Sequence, residues 1–157
     1  MASDSSKAGW IIGKIGYKMG IVTGLGVAAM GAALFFPAAA FLSYGFFLFA
    51  LFVLAVGIVV LQVAANPFVA ELGTPETASS RLNLTQGFNS LGTTVAPIFG
   101  AYLILDNTSI DSAGKAEAVQ MPYLGLAIAL AVIAVIFALV KLPKIQEVEE
   151  EKAEGSV

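Results

Sequence analysis

The chain has 157 residues, of which 58% are hydrophobic and only 12% are charged, and 16 more are glycine. A water-soluble fold of this length could not hide so much apolar surface behind 8 basic and 11 acidic side chains, so most of the chain is expected to lie in lipid. The absence of cysteine and histidine excludes disulfides, Cys/His zinc sites and thiolate or imidazole catalysis, and the net charge of −3 argues against a nucleic-acid partner.

The chain opens with a polar segment, residues 1–20, that is predicted to be cytoplasmic, and a first apolar run follows over 21–42. This run is long enough to cross a hydrocarbon core of roughly 30 Å as a helix. Lysines before an apolar run that ends with Pro37 to Ala40 also fit a secretory signal peptide. We favour a spanning helix, because the polar segment is long, contains Asp4, and the apolar run continues almost directly into a second one.

The second apolar run covers 46–70 and is separated from the first by the three residues 43–45. Such a short connection predicts an antiparallel helical hairpin. Within this run, Gln62 and Asn66 lie four residues apart and therefore on one face of the helix. Pro67 follows directly and removes one hydrogen bond of the helix, so the helix is expected to kink or loosen beside its own amides.

The third predicted span, 82–105, is too polar for a helix that is surrounded by lipid. At 100° per residue, six of its residues fall within an arc of about 120°. We call this arc the amide stripe, and it consists of Asn83, Gln86, Asn89, Ser90 and Thr93, with Pro97 on the same face.

Five side-chain amides lie in the second and third spans: Gln62, Asn66, Asn83, Gln86 and Asn89. Each costs roughly 1–3 kcal/mol in a membrane if it stays unsatisfied, so these amides must face protein, water or a ligand. Asn and Gln often join helices to one another in membrane bundles. A clustered stripe beside a proline favours a water-filled substrate cavity instead. Neutral amides both donate and accept hydrogen bonds, which suits a neutral polyol such as a sugar.

The remaining segments set the topology. A loop over 71–81 precedes the third span, a loop over 106–121 follows it, a fourth span covers 122–140, and an acidic tail occupies 141–157. Seven of the eight Lys and Arg residues fall in the segments before span one, between spans two and three, and after span four. The positive-inside rule therefore predicts that both termini and the 71–81 loop are cytoplasmic and that the 106–121 loop faces outward.

Small residues recur every four positions along the first span, at Gly20, Gly24, Ala28 and Ala32. Such a stripe lets another helix backbone approach closely. We therefore predict that this face packs tightly inside a bundle.

Three sequence strings resemble a known family. Residues 9–20, GWIIGKIGYKMG, resemble the signature between the second and third helices of the major facilitator superfamily. The strings LQVAANPFVAELG from Leu61 and SSRLNLTQGFNSLGTTVAPIFG from Ser79 are similar to its fucose and glucose/galactose proton-symporter branch. The resemblance covers roughly residues 9–145.

The resemblance implies an all-α membrane protein whose four transmembrane helices are the third to sixth helices of the superfamily's N-terminal bundle. It also implies that Gln62, Gln86 and Asn89 are cavity positions, with Asn66 and Asn83 as neighbours. The missing helices or the other transporter half would then be partners of this chain, together with the lipid bilayer and a small-molecule sugar.

Two residues depart from the family pattern, the first in the signature loop and the second at a position tied to proton coupling. Gly13 stands where the signature usually carries an aspartate, and Gln62 stands where fucose-transporting members carry a glutamate. An amide does not titrate, so Gln62 is more similar to the glucose/galactose members. The resemblance places the main proton-coupling aspartate on a first helix that this chain lacks.

The expected function is thus part of a secondary active sugar transporter in a bacterial inner membrane. It would take up a hexose such as glucose, galactose or fucose by alternating access, with no cofactor and with a proton gradient as the driving force. A truncated or half-length form would not transport alone. The alternatives are a four-helix membrane protein whose polar stripe only packs helices or a partner, and a small dimeric exporter. An enzyme is not expected, because no acid–base or nucleophilic pair is evident.

Overall fold

The computed structural model describes residues 4–102 and 112–141. Regular structure in these ranges is entirely helical, which confirms the all-α prediction. The elements are α1 (Asp4–Ala33), α2 (Phe35–Ala40), α3 (Tyr44–Glu71), a 3₁₀ helix (Pro75–Thr77), α4 (Ala78–Gly100) and α5 (Ser112–Leu139). The acidic tail and the first part of the predicted outer loop lie outside the described residues.

The helix that contains the first predicted span begins well before that span, and the helical path from Asp4 to Ala40 has two interruptions. Helix α1 starts at Asp4, within the segment predicted as polar, and its backbone leaves the helical conformation at Gly16, with φ 77° and ψ 150°. Only glycine adopts that region readily, so Gly16 lets the chain change direction before the membrane span. The second interruption is at Leu34, since Pro37 has no N–H to donate to the carbonyl of Ala33.

The turn between the first two spans lies at 41–43, two residues before its predicted position. The backbone N–H of Ser43 donates to the carbonyl of Ala38 at 3.4 Å, and that of Leu42 donates to the carbonyl of Ala39 at 3.1 Å. Leu42 has φ 49°, so these bonds form a Schellman motif with a leucine at the left-handed position. Ser43 then caps α3, because its hydroxyl accepts from the N–H of Phe46.

Helices α1 and α3 pack backbone against backbone. A β carbon added to Gly24 would lie 2.5 Å from the Leu61 nitrogen, and one added to Gly57 would lie 2.2 Å from the Ala28 nitrogen. All four residues of the predicted small-residue stripe are buried: Gly20, Gly24, Ala28 (1% exposed) and Ala32 (0% exposed). The prediction of close packing along this stripe is confirmed.

Helix α5 packs against both α1 and α2 and starts ten residues before the predicted fourth span. Residues 112–121, predicted as part of an outer loop, are therefore helical. Near this end the rings of Tyr123 and Phe35 stack with their centroids 4.0 Å apart. The side chain of Gln120 donates to the carbonyl of Phe36 at 3.2 Å, which ties α5 to α2.

Within residues 4–102 and 112–141, three helices are long and apolar enough to cross a membrane: Gly16–Ala40, Tyr44–Glu71 and Ala116–Leu139. The predicted kink at Pro67 does not interrupt α3, which runs through the proline as one helix. Helix α4 has 23 residues and is about 34 Å long, which is enough to cross the bilayer. Because of its polar side chains, it is less hydrophobic than the three helices named above. Crossing of the membrane by α4 stays a prediction.

Candidate functional site

The five predicted amides lie on two consecutive helices. Gln62 and Asn66 belong to α3, and Asn83, Gln86 and Asn89 belong to α4. At 1.5 Å per residue, Gln62 lies about 11 Å along α3 from Val69 and Asn89 about 12 Å along α4 from Arg81. Because Arg81 contacts Val69 at the junction of the helices, Gln62 and Asn89 sit at similar depths from that junction.

These amides are accessible. Asn66 is half-buried, and the other four are exposed. Among the described residues the structure gives the five amides one hydrogen bond, from Asn89 Nδ2 to Gln86 Oε1 at 3.5 Å. Most of their donors and acceptors are therefore left for water, a ligand or another protein segment.

The threonine hydroxyls of α4 differ from its amides in their hydrogen bonding. Thr93 and Thr94 both donate to the carbonyl of Ser90 at 2.9 Å, and Thr85 donates to the carbonyl of Arg81 at 3.0 Å. Such bonds to the preceding turn satisfy a hydroxyl within its own helix. Unlike these three threonine hydroxyls, the amides of α4 find little hydrogen bonding within their own helix.

The structure brings Gln86 and Asn89 within hydrogen-bonding distance of each other on α4. It shows no such contact for Gln62 and Asn66 of α3. No hydrogen bond joins a side-chain amide of α3 to one of α4 within residues 4–102. None of the 23 residues of α4 is buried. Within the described residues the amides therefore do not pack α3 on α4, whereas packing of the stripe on other helices or on a partner stays an alternative.

Sequence reasoning used Arg81 only to count charges, yet its side chain joins α3 to α4. Its Nε donates to the carbonyl of Val69 at 3.0 Å, and Nη2 donates to the carbonyl of Ala70. Both guanidinium amino groups also donate to the carbonyl of Thr74 at 3.3 Å. The available signal was that Arg81 is the one arginine of the chain and closely follows the end of a helix.

The loop between α3 and α4 carries one perturbed carboxyl. The pKa of Glu76 is lowered because its own backbone N–H and the Thr74 hydroxyl donate hydrogen bonds to the carboxylate. Glu76 lies in the first turn of the 3₁₀ helix. These hydrogen bonds hold a negative charge beside the segment that Arg81 contacts.

Two residues at the start of the first span, also missed by sequence reasoning, connect three helix ends. The hydroxyl of Tyr17 donates to Glu71 Oε1 at 3.3 Å, at the end of α3. The ammonium of Lys18 donates to the carbonyl of Val140 at 2.8 Å, just beyond α5. A cation at the carboxyl end of a helix is favourable because it offsets the partial negative charge of the last carbonyls.

Comparison with known proteins gives a single family. The sequence profile of the Major Facilitator Superfamily matches residues 7–156. A glucose/galactose transporter of Brucella abortus biovar 1 is 58% identical in an alignment 156 positions long, which covers 97% of this chain and 38% of that protein. The L-fucose-proton symporter of Escherichia coli K12 is 39% identical in an alignment 155 positions long, which covers 88% of this chain and 35% of that protein.

Structural comparison agrees. The crystal structure of FucP, a Major Facilitator Superfamily transporter in the outward conformation, matches with a TM-score of 0.79 and 39% identity. The match covers 89% of this chain and 38% of that one. The chain thus spans a little over a third of the length of these relatives. All of them are named as transporters, in agreement with the expectation that the chain is not an enzyme.

Proposed function

Because the chain belongs to the Major Facilitator Superfamily, we propose that it forms part of a secondary active transporter that takes up a hexose by alternating access. Relatives named as glucose/galactose transporters and L-fucose-proton symporters support glucose, galactose or fucose as the substrate. A proton gradient would drive uptake, and no cofactor is needed. The remaining helices of such a transporter and the lipid bilayer would be the partners of this chain.

The observation that carries the proposal is the set of accessible amides on α3 and α4. Gln62 and Asn89 lie at similar depths from the Arg81 junction, and Gln86 lies one turn from Asn89 on the same face. Sugar hydroxyls donate and accept hydrogen bonds, as neutral amides do. We assign Gln62, Gln86 and Asn89 to direct contact with the sugar, and Asn66 and Asn83 to the neighbouring wall.

Proton coupling is assigned elsewhere in the transporter. Gln62 does not titrate, and the described part of the four predicted spans contains no Asp or Glu. Glu71 and Glu117 lie outside the predicted spans, near the ends of α3 and α5. A proton carrier at the membrane centre would need a carboxylate there. The role of this chain is therefore to hold and orient the sugar.

We further propose a multi-pass protein of a bacterial inner membrane with both termini in the cytoplasm. The distribution of basic residues supports this orientation, with Lys18 and Arg81 on the cytoplasmic side. In that orientation the hairpin loop between α3 and α4 faces the cytoplasm.

The test is alanine substitution of Gln86 and Asn89 in the complete transporter that contains this segment. Loss of one hydrogen-bond partner should lower sugar affinity about ten- to hundredfold, equivalent to roughly 1–3 kcal/mol, with little effect on membrane insertion. Thr94→Ala is the matched control, since the Thr94 hydroxyl is satisfied within α4. Binding of labelled D-galactose, D-glucose and L-fucose would be measured together with the melting temperature in detergent.

The alternative, a stripe that only packs helices or a partner, gives the opposite result. Removal of a packing amide would lower the melting temperature whether or not sugar is present. Normal affinity with lowered melting temperature in both Gln86→Ala and Asn89→Ala would reject the sugar-binding assignment.

A further inference from the structure

Arg81 makes a set of contacts that a simple surface cation would not make. Its guanidinium donates to three backbone carbonyls, those of Val69, Ala70 and Thr74, and to the hydroxyl of Thr77. The first two belong to the last turn of α3, where carbonyls have no donor within the helix. Arg81 itself lies in the first turn of α4. The Arg81 side chain, at the start of α4, therefore caps the carboxyl end of α3.

The chain leaves space for this guanidinium. A β carbon on Gly73 would lie 2.7 Å from Nη1 and 3.2 Å from Cζ of Arg81. A side chain at this position would therefore require the guanidinium to shift from the place that it occupies here. Gly73 is thus a second, independent feature of the same contact.

The chemistry needs arginine. A guanidinium presents five N–H donors in a rigid plane, so it can serve several carbonyls in a fixed geometry. A lysine has the same charge, but its ammonium is a point donor on a flexible stem. The partial negative charge at the end of α3 attracts either side chain. Only the planar guanidinium, with donors fixed relative to one another, also defines the angle between α3 and α4.

This contact lies where α4 meets the rest of the protein. The main contacts of α4 are with α3 and the 3₁₀ helix, and no residue of α4 is buried. Asn89 is about 12 Å along α4 from Arg81, so a rotation of about 10° at the junction would move it by about 2 Å. A shift of that size is enough to disrupt hydrogen bonding to a bound ligand.

We infer that Arg81 is a positioning residue, which sets the angle between α3 and α4 and thereby the separation of Gln62 and Asn89. The consequence for sugar binding rests on the proposed function. The geometric part does not, since it concerns the two helices alone.

The first experiment measures that geometry in the chain itself. The chain contains no cysteine, so nitroxide labels can be attached to cysteines introduced at exposed Val59 on α3 and exposed Leu91 on α4. Pulsed electron paramagnetic resonance in lipid nanodiscs would give the distance distribution with Arg81, Arg81→Lys, Arg81→Gln and the control Thr94→Ala. We expect the distribution to broaden at least about twofold with Gln, to broaden less with Lys, and to stay unchanged in the control.

A second label pair separates positioning from general loss of structure. Labels at Met30 on α1 and Phe52 on α3 report the glycine-packed pair of helices, far from Arg81 in the chain. This distance should be the same in all four proteins. An unchanged Val59–Leu91 distribution in Arg81→Gln would overturn the inference, and so would equal broadening in both pairs.

The sugar measurement is kept apart. In the complete transporter, Arg81→Gln should weaken binding of labelled D-galactose or L-fucose about ten- to hundredfold, and Arg81→Lys should restore part of that loss. If the unsubstituted transporter binds no hexose, the proposed function fails, while the label distances still decide the role of Arg81. If the unsubstituted transporter and Arg81→Gln bind hexose equally well, Arg81 does not position the sugar-binding amides.

Discussion

Gly24 on α1 and Leu61 on α3 are in backbone contact, since a β carbon on Gly24 would lie 2.5 Å from the Leu61 nitrogen and 2.7 Å from its Cα. Lipid chains are as apolar as leucine, so a hydrophobic driving force does not hold such helices together. Close approach of the two backbones increases van der Waals contact instead. The α1–α3 pair is therefore the most closely packed part of the described structure.

The first prediction tests this contact with one methyl group. Gly24→Ala should destabilise the protein by about 1–3 kcal/mol, because the neighbouring atom is backbone and cannot rotate away. Gly26→Ala is the control on the same helix, where an added β carbon meets nothing within 4 Å. There the gain in helix propensity should stabilise slightly, by up to about 1 kcal/mol. Equal melting temperatures in detergent for the two variants would contradict the packing.

The second prediction concerns the turn between α2 and α3. Leu42 has φ 49° and is 55% exposed, so it strains the backbone while its side chain makes few contacts. Leu42→Gly should raise stability by about 1 kcal/mol, since glycine adopts the left-handed conformation without steric cost. Leu42→Ala retains the strain and should give no gain. A lower melting temperature for the glycine variant would show that the leucine side chain matters more than the backbone.

The third prediction concerns Pro67, which α3 accommodates without interruption. Pro67→Ala restores a donor for the carbonyl of Val63 and should stabilise the helix by about 1 kcal/mol. It should leave insertion intact but lower sugar affinity in the complete transporter, because it stiffens α3 directly beside Asn66. Unchanged affinity would reduce Pro67 to a tolerated feature of the helix.

The fourth prediction is topological and follows from the distribution of basic residues. Reporter domains would be fused in turn after Leu42, Ala70, Leu105 and Val140. They should report outside, inside, outside and inside in that order. Since α4 is not among the three helices that are apolar enough by composition, the third fusion is the critical one. An inside signal after Leu105 would show that α4 does not cross the membrane.

Much of the fold follows from the sequence alone. Long apolar runs dictate membrane helices, because only internally hydrogen-bonded backbone is tolerated in lipid. The four-residue spacing of Gly20, Gly24, Ala28 and Ala32 predicted the close contact with another helix, and the 100° rotation per residue predicted the amide stripe. Both patterns depend on one helix at a time, so periodicity is sufficient to find them.

Only the tertiary structure showed where the helices begin and end and how α3 is joined to α4. Hydropathy marks where side chains stop being apolar, but backbone hydrogen bonds continue into polar residues, which is why α1 begins at Asp4 and α5 at Ser112. The role of Arg81 was invisible for a related reason. Its partners are backbone carbonyls, which every residue carries, so only the path of the loop between α3 and α4 decides which of them the guanidinium reaches.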